Sequence, residues 1–323
     1  MTDAQVVRET GGPEVMHFES RLVGGPKAGE IRVRNHAIGV NFADVYQRLG
    51  RYKLDLPFVA GNEGAGEVVA VGEGVNEFKL RDRVGYTGPP GAYAVERLLP
   101  AGRAVPLPEG IDYETAAAVM LKGGTAQYLL FECHAVKAGE TLLVHAAAGG
   151  VGSILTQWAK ALGALVLATA GSDEKVAAAK QSGADVAINY RTEDWVKAVR
   201  EATGGTGVDV VYDGVGKATW DGSLDCIRPR GLMVSYGSAS GVVTIPDLTI
   251  LSQKGSLYVT RPSTGNYHAS TADLRKSIAA VFDAVLAGKF KIAINQRFPL
   301  EKAADAHRAL EARQTTGSTL LIP

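Results

Sequence analysis

The 323-residue chain carries 34 Lys and Arg against 34 Asp and Glu, so it lacks the net field with which a protein collects nucleic acid or an anionic membrane surface. With 46% hydrophobic and 21% charged residues it has the composition of a globular protein and not of a disordered or fibrous one. Its length predicts two domains with a ligand cleft between them.

Met1 to Thr10 mixes acids and polar residues where a signal peptide needs a basic start and an apolar run, and no later stretch is long and apolar enough to span a bilayer. A cytoplasmic protein is therefore expected. Cys133 and Cys226 stand far apart with no CxxC spacing, which fits a reducing compartment and offers neither a disulfide framework nor a cysteine zinc site. The first part of the chain is dense in Gly and Pro, with short alternating runs such as Glu30–His36 and Gly66–Val71 between turn clusters, and reads as a mostly β domain with bulges.

From about Thr141 the texture changes to strand, helix, strand, helix: Leu142–His145, a helix from Val151, Ala164–Ala168, and onward to Ser256–Thr260. This alternation predicts a parallel, doubly wound sheet. Ala146-Ala-Ala-Gly-Gly-Val-Gly152 follows a buried strand and opens a helix, the setting that a dinucleotide fingerprint requires. The helix is signalled by Val151, Ile154, Leu155, Trp158, Ala159 and Leu162 at helical spacing, with Gly163 placed to stop it. Gly149 lets backbone approach a diphosphate, the amides around Gly150 and Val151 and the helix dipole hold its charge, and Gly152 permits close packing of helix on strand. Ala147 departs from the fingerprint at its first glycine, which leaves a Gly-rich turn of some other α/β fold as the competing explanation.

An acid about 20 residues beyond such a fingerprint binds a ribose hydroxyl and selects NAD. Here Ala168-Thr-Ala-Gly171-Ser172 offers none, whereas Ser172 and Lys175 supply a hydroxyl and a cation, and Tyr190-Arg191 supplies a ring for adenine and a further charge. These suit the extra phosphate of NADP, although Lys175 and Arg191 also fit solvated surface charges and the nearby Asp173 and Glu174 complicate the electrostatics. Asp213 ends a strand in the same crevice, where it can orient the cofactor, but capping a following helix is the plainer role. A helix around Asp273–Ala287 and a short strand Thr319–Ile322 close the chain and rejoin the first domain.

Read together, Gly39-Val-Asn-Phe-Ala-Asp-Val-Tyr46, Gly61-Asn-Glu-Gly-Ala-Gly66, Asp82-Arg-Val84, the fingerprint, Ile188-Asn-Tyr190, Val211-Tyr-Asp213, Gly231 to Gly237 and Gly255 to Pro262 resemble the quinone oxidoreductase, or zeta-crystallin-like, branch of the medium-chain dehydrogenase/reductase superfamily along essentially the whole chain. The resemblance implies an α/β protein with a discontinuous GroES-like catalytic domain, 1–124 and 264–323, and a Rossmann domain, 125–263. It also implies a homodimer through edge strands of the Rossmann domains. Zinc-dependent alcohol dehydrogenases of this superfamily place Cys and His where this chain has Asn41 and Asn62, and insert a cysteine-rich lobe near Tyr86 to Tyr93. With those ligands missing and the six histidines scattered over surface or strand positions, no metal site is expected.

By the same resemblance Asn41 lies near the nicotinamide ribose and carboxamide, and Tyr46 and Tyr52 line the acceptor pocket, with Tyr52 the favoured proton donor and ordinary packing the alternative for both. Lys122 and Thr125 fall at an interdomain turn within reach of cofactor phosphates or ribose, although Lys122 also fits a plain surface residue. Tyr236 and Gly237 end a strand where open sheets bind ligands, and Arg313 falls near the adenosine end. The function expected is transfer of hydride from NADPH to a quinone. The second reading is reduction of alkenals, enones or enoyl thioesters. A third, non-enzymatic reading is an NADPH sensor, a crystallin or an RNA-binding protein, which the neutral charge disfavours.

Overall fold

A computed structural model describes residues 1–323. Strands and two helices alternate irregularly at the start: β1 (Thr2–Val7), β2 (Met16–Arg21), β3 (Glu30–Val40), α1 (Phe42–Arg48), β4 (Phe58–Val59), β5 (Glu63–Val71), β6 (Arg83–Thr87), β7 (Glu96–Pro100), β8 (Ala104–Pro106) and α2 (Tyr113–Tyr128). A regular alternation follows: β9 (Thr141–His145), α3 (Gly150–Ala161), β10 (Leu165–Ala170), α4 (Asp173–Gln181), β11 (Val186–Asn189), α5 (Trp195–Ala202), β12 (Val208–Asp213), α6 (Trp220–Cys226), β13 (Ile227–Ser235), α7 (Thr249–Gln253), β14 (Tyr258–Thr260) and α8 (Thr264–Tyr267). The chain closes with α9 (Thr271–Leu286), β15 (Ile294–Pro299), α10 (Ala303–Glu311) and β16 (Ser318–Ile322).

Two units result. The first comprises residues 1–124, 270–286 and 292–323, and the second residues 125–269 and 287–291. The return to the first unit therefore falls after residue 269 and not at the expected 264, because the Tyr267 ring stacks on Tyr128 at 4.4 Å and keeps α8 with the second unit. Residues 287–291 cluster there too: Gln157 exchanges hydrogen bonds of 3.0 and 2.9 Å with the Lys291 backbone, and Phe290 packs on Trp158.

In the first unit, strands run in the order β15-β16-β3-β5-β6-β8, with β7 also on β3, beside a smaller sheet β2-β1-β4. Ile31, Val33 and Ala37 alternate inward along β3, as a half-buried strand requires, and register shifts against β5 at Arg32/Val33 and Asn35/Ala37 supply the bulges read from the sequence. Val33, Ile38, Val68, Val84, Tyr86, Leu99 and Leu321 form its core. Antiparallel pairing of β16 with β3 brings the last residues of the chain into this sheet.

The second unit is an all-parallel six-stranded sheet in the order β11-β10-β9-β12-β13-β14. Strand order reverses between β9 and β12, so the carboxyl ends of these two strands flank the switch point at which open α/β sheets take ligands. Helix α3 buries Ile154, Leu155, Trp158 and Ala159 as its spacing foretold, and Gly163 at φ 86° accepts the left-handed conformation that ends it.

Candidate active site

The turn after β9 fixes the start of α3. Gly149 is its N-cap, with extended backbone and no side chain capping the first turn, and the first turn holds no acid. The amides of Gly150, Val151 and Gly152 therefore point their donors and the positive end of a 12-residue helix outward without an internal counter-charge. Close approach explains the glycines: a Cβ on Gly152 would lie 2.4 Å from Ala146 O, and one on Gly149 3.2 Å from the same oxygen. Ala147, at the fingerprint's first glycine position, is fully buried and donates its N–H to Thr169 O at 3.2 Å, tying the turn to β10. These donors fit a diphosphate.

At the end of β10, Gly171 faces Tyr190, whose hydroxyl would lie 2.6 Å from an added Cβ. Ser172 caps α4 by accepting from Lys175 N, and Lys175 emerges half-buried one turn later. Asp173 is held by Asn189 Nδ2 at 2.7 Å. The surface joining Gly171, Ser172, Lys175 and Tyr190 thus offers hydroxyl, ammonium and ring, which suits a phosphate on the adenosine ribose, with Asp173 already engaged and the exposed Glu174 the acid that opposes it.

Across the switch point, Asp213 O accepts from Tyr236 N at 2.9 Å and Gly237 N at 3.2 Å, so the loops after β12 and β13 are knit together. Asp213 does not cap α6, as the plainer reading had it: its carboxylate accepts from Val215 N, Gly216 N and Thr219 Oγ1 at 2.6, 3.0 and 2.7 Å, and Thr219 is the N-cap. Arg261 adds a clasp that spacing did not reveal, donating to Ser235 O, Gly237 O and Ser238 Oγ at 2.8, 2.7 and 3.0 Å.

In the first unit, Asn41 is the N-cap of α1 and is anchored twice. Its N–H donates to Asp44 Oδ2 at 2.8 Å and its Nδ2 to Glu63 Oε1 at 2.8 Å. Lys122 is not on a turn, and neither is Thr125. Both lie within α2, and Lys122, only 5% exposed, donates to Glu63 Oε1 at 2.5 Å. A buried carboxylate needs such a partner, which explains why this lysine is inside and not a solvated surface charge. Asn62, at the other absent zinc-ligand position, exchanges hydrogen bonds with Gln47 at 3.0 and 2.7 Å and donates to Asp44 Oδ1. Both asparagines are thus committed to carboxylate or amide partners, a donor set unlike that of a tetrahedral zinc site.

Beneath α1 runs a buried chain that sequence reading missed. Fully buried Arg48 donates to His307 Nδ1 (3.2 Å), and Tyr93 Oη lies 3.0 Å from both His307 Nε2 and Asp44 Oδ2. Arginine only donates, so His307 Nδ1 must be the acceptor, Nε2–H donates to Tyr93, and Tyr93 donates to Asp44. Burial, with Arg48 adding to it, pushes His307 down from 6.5 to about 3. Burial raises Asp44 from 3.8 to about 6 against the hydrogen bonds that lower it. His307 on α10 and His268 at the end of α8 are buried, neither surface nor strand residues as expected: the His307 ring is hydrogen-bonded on both nitrogens, and the His268 ring packs edge-on against Tyr128 at 6.0 Å.

Tyr46 is buried in α1 between Phe42 and Tyr52, with the Arg51 guanidinium 5.7 Å from its ring centre. Tyr52 stands 45% exposed, its ring edge-on to Tyr46 at 5.3 Å. Arg313 belongs to the first unit, where it ends α10 in the left-handed region at φ 60°. The fingerprint glycines, Gly171, Ser172, Lys175, Tyr190, Tyr236 and Gly237 all lie at carboxyl ends of strands in the second unit, whereas Asn41, Tyr46, Tyr52 and Lys122 cluster around α1 and Glu63 in the first.

Known proteins share the fold. Residues 27–136 match the family described as alcohol dehydrogenase GroES-like domain, and residues 150–281 the family described as zinc-binding dehydrogenase. The chain is 53% identical to a quinone oxidoreductase of Pseudomonas aeruginosa, with 97% of each chain covered. It is 45% identical to a 2-haloacrylate reductase of a Burkholderia species, covering 100% of this chain and 99% of that one. The crystal structure of Escherichia coli quinone oxidoreductase complexed with NADPH superposes with a TM-score of 0.97 at 46% identity, covering 99% of this chain and 100% of the other.

Proposed function

This chain belongs to the quinone oxidoreductase branch of the medium-chain dehydrogenase/reductase family, and we propose that it is an NADPH-dependent quinone reductase that works without a metal. The observation that carries the reading is the uncapped, acid-free start of α3 behind Gly149 and Gly152, combined with a β10 end that offers Ser172 and Lys175 where an NAD-selecting acid would stand. Gly149 to Gly152 hold the diphosphate, Gly171, Ser172, Lys175 and Tyr190 the adenosine end, and Tyr236 and Gly237 the ribose side. Thr125, Lys122 and Arg313 have the weaker claims, Lys122 because its ammonium already serves Glu63.

When bound, NADPH supplies a hydride. The chain's own task is positioning, since charge arriving on a quinone oxygen is delocalised through the ring and solvent can protonate it. The exposed Tyr52 gives a flat face for a planar acceptor, with the buried Tyr46 packed behind it, and the Tyr52 hydroxyl donates a hydrogen bond to a developing oxyanion. Asn41 is held for ligand contact by Glu63 and Asp44. The 2-haloacrylate reductase relative supports reduction of activated alkenes as the second reading. A steady-state screen of quinones, enones and enoyl thioesters with NADPH and NADH tests the assignment, and it fails if no quinone is reduced.

Two further outcomes are expected. Lys175→Ala raises the KM for NADPH about tenfold, the cost of one charge-assisted hydrogen bond, while the KM for NADH stays within about twofold. Equal losses for both cofactors would remove Lys175 from phosphate recognition. Tyr52→Phe lowers quinone turnover less than about threefold but enone reduction by about tenfold or more, because a localised enolate leans on the hydroxyl. Matching losses with both acceptors would make the tyrosine an obligatory acid or a packing element.

We also place the protein in the cytoplasm as a homodimer. β14 edges its sheet with only β13 as neighbour, and Tyr258 on it is 64% exposed, a surface suited to pairing with a second copy. No helix is long and apolar enough to cross a membrane.

A further inference from the structure

His145 ends β9 immediately before the turn that opens α3, and its side chain is fully buried, edge-on to Trp195 at 5.0 Å. Its Nδ1 lies 2.7 Å from Thr169 Oγ1 on β10, and its Nε2 lies 2.9 Å from Ser223 Oγ on α6. The order of protons along this chain follows from Ser223, whose one hydrogen goes to Thr219 O at 2.7 Å. Ser223 therefore accepts from His145 Nε2–H. Burial pushes His145 below its ordinary value against the pull of Asp213, so the ring is neutral and Nδ1 accepts the Thr169 hydroxyl proton. Thr219 in turn donates to Asp213 Oδ2 at 2.7 Å, so one chain ties the ends of β10, β9 and β12 together across the switch point. Thr169 has a second hold, its carbonyl accepting from Ala147 N at 3.2 Å. A single residue of β10 thus grips the backbone on both sides of Ala146.

Ala146 needs that grip. It sits at φ 52°, the left-handed region that a Cβ disfavours, and there its carbonyl turns back to accept from Gly149 N at 2.9 Å. An extended Ala146 would swing this oxygen away, and the amides at the start of α3 would lose the turn that aims them.

We infer that His145 is a positioning residue for the dinucleotide: the Thr169–His145–Ser223 chain holds Ala146 left-handed and thereby sets where the amides of Gly150 and Val151 stand. The inference rests on the proposed reading that these amides hold a diphosphate.

Glycine at position 146 supplies the test, because it takes a positive φ without the clamp. The Ala146 side chain is exposed, so Ala146→Gly leaves no cavity. Thr169→Val is close to isosteric, removing the hydroxyl donor and sparing the carbonyl that Ala147 uses. It should raise the Kd for NADPH about tenfold, read by fluorescence titration with a melting curve for each protein. In an Ala146→Gly background the same change should cost less than about threefold. Thr169→Ser keeps the donor and should bind NADPH within about threefold of wild type. His145→Phe keeps a flat ring beside Trp195, loses both hydrogen bonds and should repeat the pattern of Thr169→Val. Should one of these two variants fail to fold, the other decides. A plain packing role would lower melting and leave the Kd unmoved, or would give the same loss of affinity with alanine or glycine at 146. Either result overturns the inference, and so does failure of both Thr169→Val and His145→Phe to fold, which would make the chain a support of the core. Failure of the wild-type protein to bind NADPH would instead sink the proposed function.

Discussion

Exchange of Gly152 for valine is expected to weaken NADPH binding on the order of a hundredfold or more, the loss that follows when a positioned group is displaced by about an ångström. A Cβ at this residue would meet Ala146 O at 2.4 Å and Ala147 Cα at 2.8 Å, both backbone atoms that no rotamer change can move aside. Helix α3 must therefore retreat from β9, carrying with it the amides of Gly150 and Val151, which we propose face the diphosphate. Overpacking of this kind also costs about 1–3 kcal/mol of stability. Gly149→Ala, whose Cβ would stand 3.2 Å from the same oxygen, should have a much smaller effect. Titration of both variants by NADPH fluorescence, alongside denaturant unfolding, measures the difference. Wild-type affinity in Gly152→Val would show that the start of α3 does not hold the nucleotide.

The second large effect lies in the buried chain from Arg48 through His307 and Tyr93 to Asp44. His307 stays neutral in the folded protein down to about 3, while its unfolded counterpart protonates near 6.5. Its contribution is present above pH 6.5 and is lost as pH falls, at about 1.4 kcal/mol per pH unit. Asp44 has the opposite sign: its carboxyl protonates at about 6 when folded and at 3.8 when unfolded. Acidification between those values therefore stabilises the fold at about the same rate, and this contribution disappears as pH rises through the folded value. Between pH 6 and 4 the two nearly cancel, so the wild-type protein should show little pH dependence from this chain until Asp44 is exhausted below pH 4. Asp44→Asn should expose the His307 slope, with stability falling by about 3 kcal/mol more than wild type between pH 6 and 4. His307→Gln should tilt the other way, gaining stability relative to wild type as pH falls. Urea unfolding at pH 4, 5, 6 and 7 reads both slopes, and parallel curves for the three proteins would contradict the assignment.

Glu311 explains why a cation is tolerated inside this chain. Arg48 Nη2 reaches its carboxylate at 2.8 and 2.9 Å, so a charge generated in the core is neutralised near the surface. The same chain holds Asp44, and Asp44 holds the Asn41 backbone, which links the packing of α10 in the first unit to a residue of the candidate site.

Much of the molecule follows from local pattern. Period-two alternation along β3, helical spacing from Val151 to Leu162, glycine at 149 and 152, and the absence of an acid from Ala168 to Ser172 are all properties of neighbouring residues, and each constrains backbone shape or local charge without reference to distant contacts. The turn that we propose binds the dinucleotide was legible for that reason: a strand, a tight turn and a helix start are assembled within a dozen residues. The interior of the first unit was not. Glu63 was visible only as an acid among glycines in Gly61-Asn-Glu-Gly-Ala-Gly66, and nothing near it announced that Lys122 would arrive 59 residues later to neutralise it. Arg48 and His307 are 259 positions apart, and His307 alone reads as a surface or strand residue. Only the closing of β16 onto β3 and the docking of α10 bring such groups together out of water, and burial is what turns ordinary side chains into obligatory partners with displaced protonation. Local sequence thus determined which ligand the second unit can hold, and tertiary structure decided how the residues of the first unit are held and which way they face.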